Sequence, residues 1–346
     1  MHYASLGRTD IQVSRICLGT MTYGHQNTEA EGHAQLDAAV DAGVNFLDAA
    51  EMYPFPSSAD SFGATESIAG SWLRARGNRD KIIVATKVTG PGPRFEHIRG
   101  GDLRHGRSQI RAAIEGSLAR LGTDYIDLYQ IHWPDRNSNY FGQLGYTHDA
   151  DEEMTPLAET LDALDELARE GKVRAVGVSN ESPWGLMRFL EMSETLGKTR
   201  VASIQNPYSL LNRTFEIGLG EVAMREQCGL LAYSPLGFGA LSGKYLDGPP
   251  PPGSRIALYP QFQRYFKPAG VAATRAYVEL ARGHGLDPAQ MALAYARGRE
   301  FMTSVIIGAT TQEQLAVNLA SADLDLADEV VAGIEEIHAG HANPAP

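Results

Sequence analysis

Short runs of consecutive apolar residues recur along the chain, and stretches with apolar residues three and four apart fill the gaps between them. Eight runs read as strands: Ile16–Gly19, Val44–Asp48, Ile82–Thr86, Ile126–Ile131, Ala175–Val178, Ala202–Gln205, Leu230–Tyr233 and Ser304–Ile307. Near-continuous apolarity marks strands covered on both faces, as in a parallel sheet. The intervening stretches read as helices. "EAEGHAQLDAAVDAG" sets Leu36, Ala39 and Val40 on one face and stops at Gly43. "TESIAGSWLRARG" stops at Gly77. "SQIRAAIEGSLARLG" carries Ile110, Ile114, Leu118 and Leu121 and stops at Gly122. "TPLAETLDALDELAREG" offers Thr155 as N-cap, Pro156 as the first helical residue and Gly171 as the stop.

The start, "HYASLGRTDIQVSRICLGT", alternates apolar and polar positions around Gly7–Asp10 and predicts a β-hairpin. Eight β–α repeats then point to an α/β fold, a single (β/α)8 TIM barrel with an N-terminal hairpin, spanning residues 1–346 as one domain. The competing fold is an open doubly wound sheet. It would favour a G-x-G-x-x-G turn after an early strand, and the chain has none. The segment at 247–270, rich in Pro and aromatics, follows a strand and reads as a functional loop. Residues 326–338 predict an extra C-terminal helix, and 339–346 a flexible tail.

Composition narrows the picture. Of 346 residues, 43% are hydrophobic and 21% charged, which excludes a mostly disordered chain. A net charge of −12 argues against a surface for nucleic acid or for anionic membranes. Cys17 and Cys228 sit in apolar contexts without a CxxC, so both read as buried thiols. "MHYASLGRTDIQV" lacks a basic start followed by an apolar run, and no run approaches the ~20 residues that cross a bilayer. The expectation is a cytoplasmic protein.

In such a barrel, catalytic groups gather at the carboxyl ends of the strands. "FLDAAEMY" puts Asp48 at the end of the second strand and Tyr53 just beyond it. "ATKV" gives Lys87 and "LYQIHWP" gives His132. Singly, each has a structural reading: a turn acid, a solvated lysine, a core histidine. Jointly, they place four ionisable groups from three neighbouring strands at one mouth. His25, His97, His105 and His132 fall in different segments without zinc spacing, so no metal site is expected.

These segments resemble the signature segments of the aldo-keto reductase superfamily. "LGTMTYG", "KVRAVGVSN", "IQNPYSLLNR", "LLAYSPLGFGALSGKY" and "IIGATTQEQLAVNL" match others in order along nearly the whole chain, and "AEMYP" with "NPYSLLNR" resembles its bacterial Tas-like branch. The resemblance implies a reductase that takes aldehydes or ketones to alcohols with NADPH/NADP+. It implies that Tyr53 is the general acid and that Lys87 lowers the pKa of that phenol. Asp48 orients Lys87 and keeps it charged, and His132 hydrogen-bonds the carbonyl oxygen.

It implies cofactor contacts as well. Gly19, Thr20 and Met21 would lie beside the ribose, with Asp48 near them. Ser179, Asn180 and Gln205 would hold the carboxamide, and Tyr233 would stack on the nicotinamide. Ser234, Leu236 and Gly237 would cradle the pyrophosphate. Gly308, Ala309, Thr310, Gln314 and Asn318 would take the adenosine half. Many family members carry Lys and Arg in that last segment for the 2′-phosphate. This chain has Gly308 and Gln314 there, and Lys244 and Arg255 match an alternative arrangement around the preceding loop. Tyr23, Phe55, Trp133 and Tyr140 are candidates for an aromatic substrate mouth. The expected partner is a small carbonyl substrate, and a homo-oligomer stays open. The alternative function is an NADPH-binding, redox-sensing regulatory subunit resembling channel β subunits.

Overall fold

The computed structural model describes the whole chain, Met1–Pro346. Two short strands, β1 (Tyr3–Ser5) and β2 (Gln12–Ser14), pair antiparallel with Tyr3 opposite Ser14. Eight parallel strands follow and close on themselves: β3 (Ile16–Gly19), β4 (Phe46–Asp48), β5 (Ile83–Val88), β6 (Ile126–Ile131), β7 (Val173–Ser179), β8 (Val201–Pro207), β9 (Gly229–Tyr233) and β10 (Met302–Ile307). Closure is made by β10 pairing with β3, with Ile306 opposite Cys17. The barrel and its hairpin are as the apolar pattern predicts, and the open sheet is excluded.

Helices α1 (Glu29–Asp41), α2 (Ala64–Arg76), α3 (Arg107–Leu121), α4 (Leu157–Arg169), α5 (Pro183–Leu196) and α6 (Leu219–Glu226) alternate with the strands outside the barrel. Beyond β9 the long loop holds one-turn helix α7 (Arg255–Leu258) and two 3-10 turns, Ala240–Ser242 and Arg264–Phe266, before α8 (Pro268–Gly283) and α9 (Pro288–Arg297). After β10 come α10 (Gln312–Ala320) and α11 (Asp328–Gly340), the latter packed on α8. None is long and apolar enough to cross a membrane.

Local chemistry explains the boundaries. Thr28 caps α1 in a reciprocal box with Glu31, and Gly77, Gly122 and Gly197 end α2, α3 and α5 in left-handed conformations. The expected cap at Thr155 is not formed. Pro156 has extended backbone and stands at the cap position, α4 starts at Leu157, and the Thr155 N–H donates to Asp135. Proline followed by a helix satisfies either register, because the first N–H groups have no intrahelical partner.

The barrel interior separates into two zones. Its lower half is apolar: Cys17, Phe46, Ala85, Leu128 and Leu231 form a layer that the hairpin residues Leu6, Ile11 and Val13 seal from below. Gly7 lies so close to β8 that a Cβ there would meet the Ala202 carbonyl oxygen at 2.4 Å. The upper half carries the polar side chains described next. The C-terminal tail is docked, contrary to expectation. Ala345 is buried, its N–H donates to the Leu211 carbonyl at 3.1 Å, and Asn343 accepts from the Arg213 N–H at 2.6 Å. A tail of small residues fits this groove because it fixes little side-chain entropy.

Candidate active site

Strand alternation turns Asp48, Lys87 and Gln130 into the upper barrel. Lys87 is fully buried and Asp48 nearly so. The Lys87 ammonium donates to Asp48 Oδ2 at 2.5 Å and to the Ala49 carbonyl at 2.8 Å. Asp48 Oδ1 accepts from Gln205 Nε2 at 2.8 Å and from Gln130 Nε2 at 3.3 Å. Burial by itself would drive the Lys87 proton off. Asp48, by its charge and its hydrogen bond, together with Tyr53 and Cys17, outweighs that and holds the ammonium above the ordinary lysine value.

Tyr53 follows in the loop after β4, its ring centroid 5.0 Å from Lys87 Nζ. The His132 ring, just past β6, meets Tyr53 edge-on at 5.5 Å. Burial raises the Tyr53 phenol above its usual pKa, while the Lys87 charge opposes that rise without cancelling it. Lys87 thus acts in the expected direction, and burial still leaves the phenol above its usual value. His132 is pushed well below the usual imidazole value, first by burial and then by Lys87 and His105. It is a neutral imidazole whose Nδ1 has no partner in the chain.

A salt bridge the sequence did not reveal anchors this loop. Glu51, buried two residues before Tyr53, pairs with Arg99 and accepts from the Thr89 N–H at 3.0 Å. Arg99 Nη2 donates to the Thr89 carbonyl at 3.1 Å, and the Glu51 N–H to the Lys87 carbonyl at 3.1 Å. Gln130 was also missed. Its signal was present, since it lies two residues before His132 and so shares its face.

The predicted cofactor residues ring the same mouth. Thr20 donates to the Asp48 carbonyl through N–H at 3.0 Å and hydroxyl at 3.1 Å, next to Gly19 and Met21. Asn180, in a left-handed conformation, donates to the His132 carbonyl at 2.8 Å and accepts from the Tyr233 hydroxyl at 2.6 Å. Ser179 donates to the Gln205 carbonyl at 2.7 Å. The Gln205 amide is turned toward Asp48.

Past Tyr233, residues Ser234, Gly237, Phe238 and Gly239 all have positive φ, between 54° and 88°. The Leu236 and Phe238 N–H groups between these turns donate to no backbone acceptor. Such a loop offers backbone donors to an anion. At α10, Thr311 caps the Gln314 N–H, Gln314 accepts from the Thr310 N–H, and Asn318 donates to the Gly308 carbonyl beside Ala309. A Cβ on Gly308 would meet nothing within 4 Å, so its backbone is open.

Lys244 is exposed beside the Tyr245 ring and meets no carboxylate. Arg255 is half-buried with its guanidinium 5.2 Å from the Phe238 ring, close enough that its charge acts on Tyr53. These open backbone donors and free cations fit a phosphorylated dinucleotide.

Among the substrate candidates, Phe55, Trp133 and Tyr140 join one aromatic cluster with Tyr53. Trp133 forms its wall and donates to the Pro91 carbonyl at 2.9 Å. Tyr23 is not part of it. It is fully buried between α1 and α2, against Gly32, and its hydroxyl donates to Gln35 at 3.1 Å.

No group of three or more His, Cys, Asp or Glu is placed to hold a metal ion. Both cysteines are free and buried.

Comparison with known proteins gives the same picture. The model of the aldo/keto reductase family matches residues 15–339. The protein tas of Escherichia coli K12 is 49% identical over 346 residues, covering all of both chains. The uncharacterized oxidoreductase YrpG of Bacillus subtilis is 33% identical over 353 aligned positions, covering 100% of this chain and 98% of its own. The L-glyceraldehyde 3-phosphate reductase of Escherichia coli K12 is 31% identical over 333 positions, covering 92% of this chain and 87% of its own. With a closed (β/α)8 barrel, a Tas-like sequence and a family match over nearly its full length, the chain belongs to the aldo/keto reductase family.

Proposed function

We propose that the protein reduces aldehydes or ketones to alcohols with NADPH, and that Tyr53 donates the proton. The convergence of Tyr53, Lys87, Asp48 and His132 on one mouth carries this reading. A relative named as a reductase of an aldehyde phosphate supports the reaction class.

When bound, a nicotinamide cofactor would supply the hydride for the carbonyl carbon. The chain supplies the rest. Tyr53 hands its hydroxyl proton to the carbonyl oxygen as negative charge grows there. The Lys87 ammonium stabilises the phenolate left behind, and Asp48 keeps that ammonium protonated and aimed. The neutral His132 imidazole hydrogen-bonds the same oxygen and orients the substrate without adding charge. Ser179, Asn180 and Tyr233 hold the reacting end of the cofactor, and Lys244 and Arg255 engage its 2′-phosphate. A purely regulatory NADPH-binding role would need the cofactor contacts alone, and the complete set of proton-transfer residues favours turnover.

The test is a screen of aldehydes, ketones and quinones with purified protein, following NADPH absorbance. Turnover of aldehydes or ketones, abolished in Tyr53→Phe, supports the reading. A protein that binds NADPH tightly yet turns over none of them is a sensor instead.

A further inference from the structure

We propose that Arg264 receives the anionic group of an acidic carbonyl substrate, a carboxylate or a phosphate, at the rim of the mouth. This rests on the reductase reading above and names its substrate class.

Arg264 opens a single helical turn, Arg264–Phe266, in the long loop after β9. It is half-buried, with its guanidinium 5.9 Å from the Tyr265 ring centroid. A Cβ on Gly142 would lie 2.7 Å from its Nε, so it reaches the loop that leaves β6 beyond His132. On its other side is the Tyr233 hydroxyl, whose pKa its charge pulls down against burial. Arg264 thus bridges the end of β9 and the loop after β6.

Its lack of an acidic partner is the second observation. The well-buried arginines are each met by a carboxylate: Arg136 by Glu181, Arg213 by Glu216 and Glu335, Arg297 by Asp325. Half-buried Arg99 is met by Glu51, half-buried Arg15 by backbone carbonyls and Arg299 by the Tyr295 hydroxyl and ring, while Arg255 and Arg264 have neither a carboxylate nor a carbonyl partner. Arg264 forms no salt bridge. A guanidinium does not discharge, so one held half out of water without a counter-ion is poised for an anion. The same loop is aromatic, with Phe262 stacked on Phe55 at 5.7 Å. An aromatic rim beside a guanidinium suits a carbonyl compound that carries its charge away from the reacting carbon. The cofactor's own phosphates have other donors, on the 234–239 loop, Lys244 and α10, whereas Arg264 contacts the β6 loop.

The experiment compares matched aldehydes with NADPH: 4-carboxybenzaldehyde against its methyl ester, and 4-formylphenyl phosphate against 4-methoxybenzaldehyde. The parent should favour a charged member by roughly tenfold or more in kcat/KM, the scale of a charged hydrogen bond. Most of that preference should lie in KM. Arg264→Gln should bring the charged-to-neutral ratio to within about twofold of one, and Arg264→Lys should restore part of it. Which pair shows the effect tells carboxylate from phosphate. Thermal melts and NADPH dissociation constants of both variants complete the set. A parent that turns over neutral members and shows no preference overturns this inference and leaves the reductase reading intact. Weakened NADPH binding in Arg264→Gln with an unchanged charged-to-neutral ratio overturns it too, and assigns the guanidinium to the cofactor. Failure of all four aldehydes overturns both readings.

Discussion

Lys87 and Asp48 meet at 2.5 Å with both side chains out of water. The pair spans the two strands that flank Tyr53, because Asp48 ends β4 and Lys87 lies opposite Gln130 on β5. A buried pair of this kind adds little net stability compared with apolar packing, but removing one partner strands the other charge. Its use here is to keep a cation under the phenol.

Replacing Lys87 with Met should slow the hydride step by at least ~10²-fold, the scale of assisted proton transfer. The phenol is already raised by burial, and Lys87 is the cation that opposes it. Without it the phenol stays protonated to higher pH, so the alkaline limb of kcat should move upward. Single-turnover rates across pH check this, and an unmoved limb would show that Lys87 does not tune Tyr53.

Much of this site was legible in the sequence because strand periodicity and loop position fix which side chains share a mouth. Asp48, Lys87 and His132 sit at strand ends, and Tyr53 is held five residues on by a short loop. Tyr23 was misplaced because an aromatic just past a strand end faces inward or outward according to loop geometry, which a pattern does not encode. Glu51–Arg99 joins residues 48 apart, and Arg264 reaches Gly142 across the mouth. Such long-range partners leave no local periodic signal. The docked tail escaped for the same reason, since small polar and apolar residues look alike whether packed or free.

Replacing Tyr53 with Phe should reduce turnover below detection and leave the NADPH dissociation constant within about threefold of the parent. Under the proposed mechanism the variant loses only the proton-donating hydroxyl, and the ring that packs against His132 is retained. Quenching of protein fluorescence by NADPH, measured beside turnover of 4-nitrobenzaldehyde, checks both halves. Retained turnover within a few-fold would remove Tyr53 as the acid.

His132 should not titrate during catalysis. Its folded pKa lies well below the free value of about 6.5, so kcat/KM should lack an acidic limb near that pH. Linkage gives a second sign. The unfolded chain takes up the proton that the folded site refuses, so stability is full above about 6.5 and falls as pH drops toward the depressed folded value. Urea midpoints at pH 7.5 and 5.5 should differ more in the parent than in His132→Gln. An equal pH dependence in the two proteins contradicts a neutral, buried imidazole.

Glu51 acts through the loop it ties. Glu51→Gln keeps the shape and the Thr89 N–H bond but leaves Arg99 without its counter-charge. Breaking one side of a buried pair typically costs about 3–5 kcal/mol, and partial exposure of Arg99 should reduce that. The expected signature is a fall in kcat of about tenfold or more, with NADPH affinity little changed, because Tyr53 loses its position while the phosphate contacts stay. A fall confined to thermal stability, with kcat unaltered, would make the pair structural only.

Cofactor choice gives the last outcome. The 2′-phosphate of NADPH carries close to two negative charges near neutral pH. Lys244 and Arg255 are cations with no carboxylate partner on the loop beyond Tyr233. Charge-assisted hydrogen bonds contribute about 1.5–3 kcal/mol each, so NADPH should bind tens-fold more tightly than NADH. Arg255→Ala should weaken NADPH and change NADH by no more than about twofold, because NADH lacks that phosphate. Arg255 lies on this loop beside the Phe238 ring, so a phosphate held by its guanidinium would tie the loop down. Binding of NADPH should therefore protect the 247–266 loop against proteolysis more than NADH does. Titration of both cofactors into both proteins at fixed ionic strength, with limited trypsin digestion alongside, decides it. A parent that prefers NADH, or an Arg255→Ala variant that binds NADPH as the parent does, places the phosphate contact elsewhere.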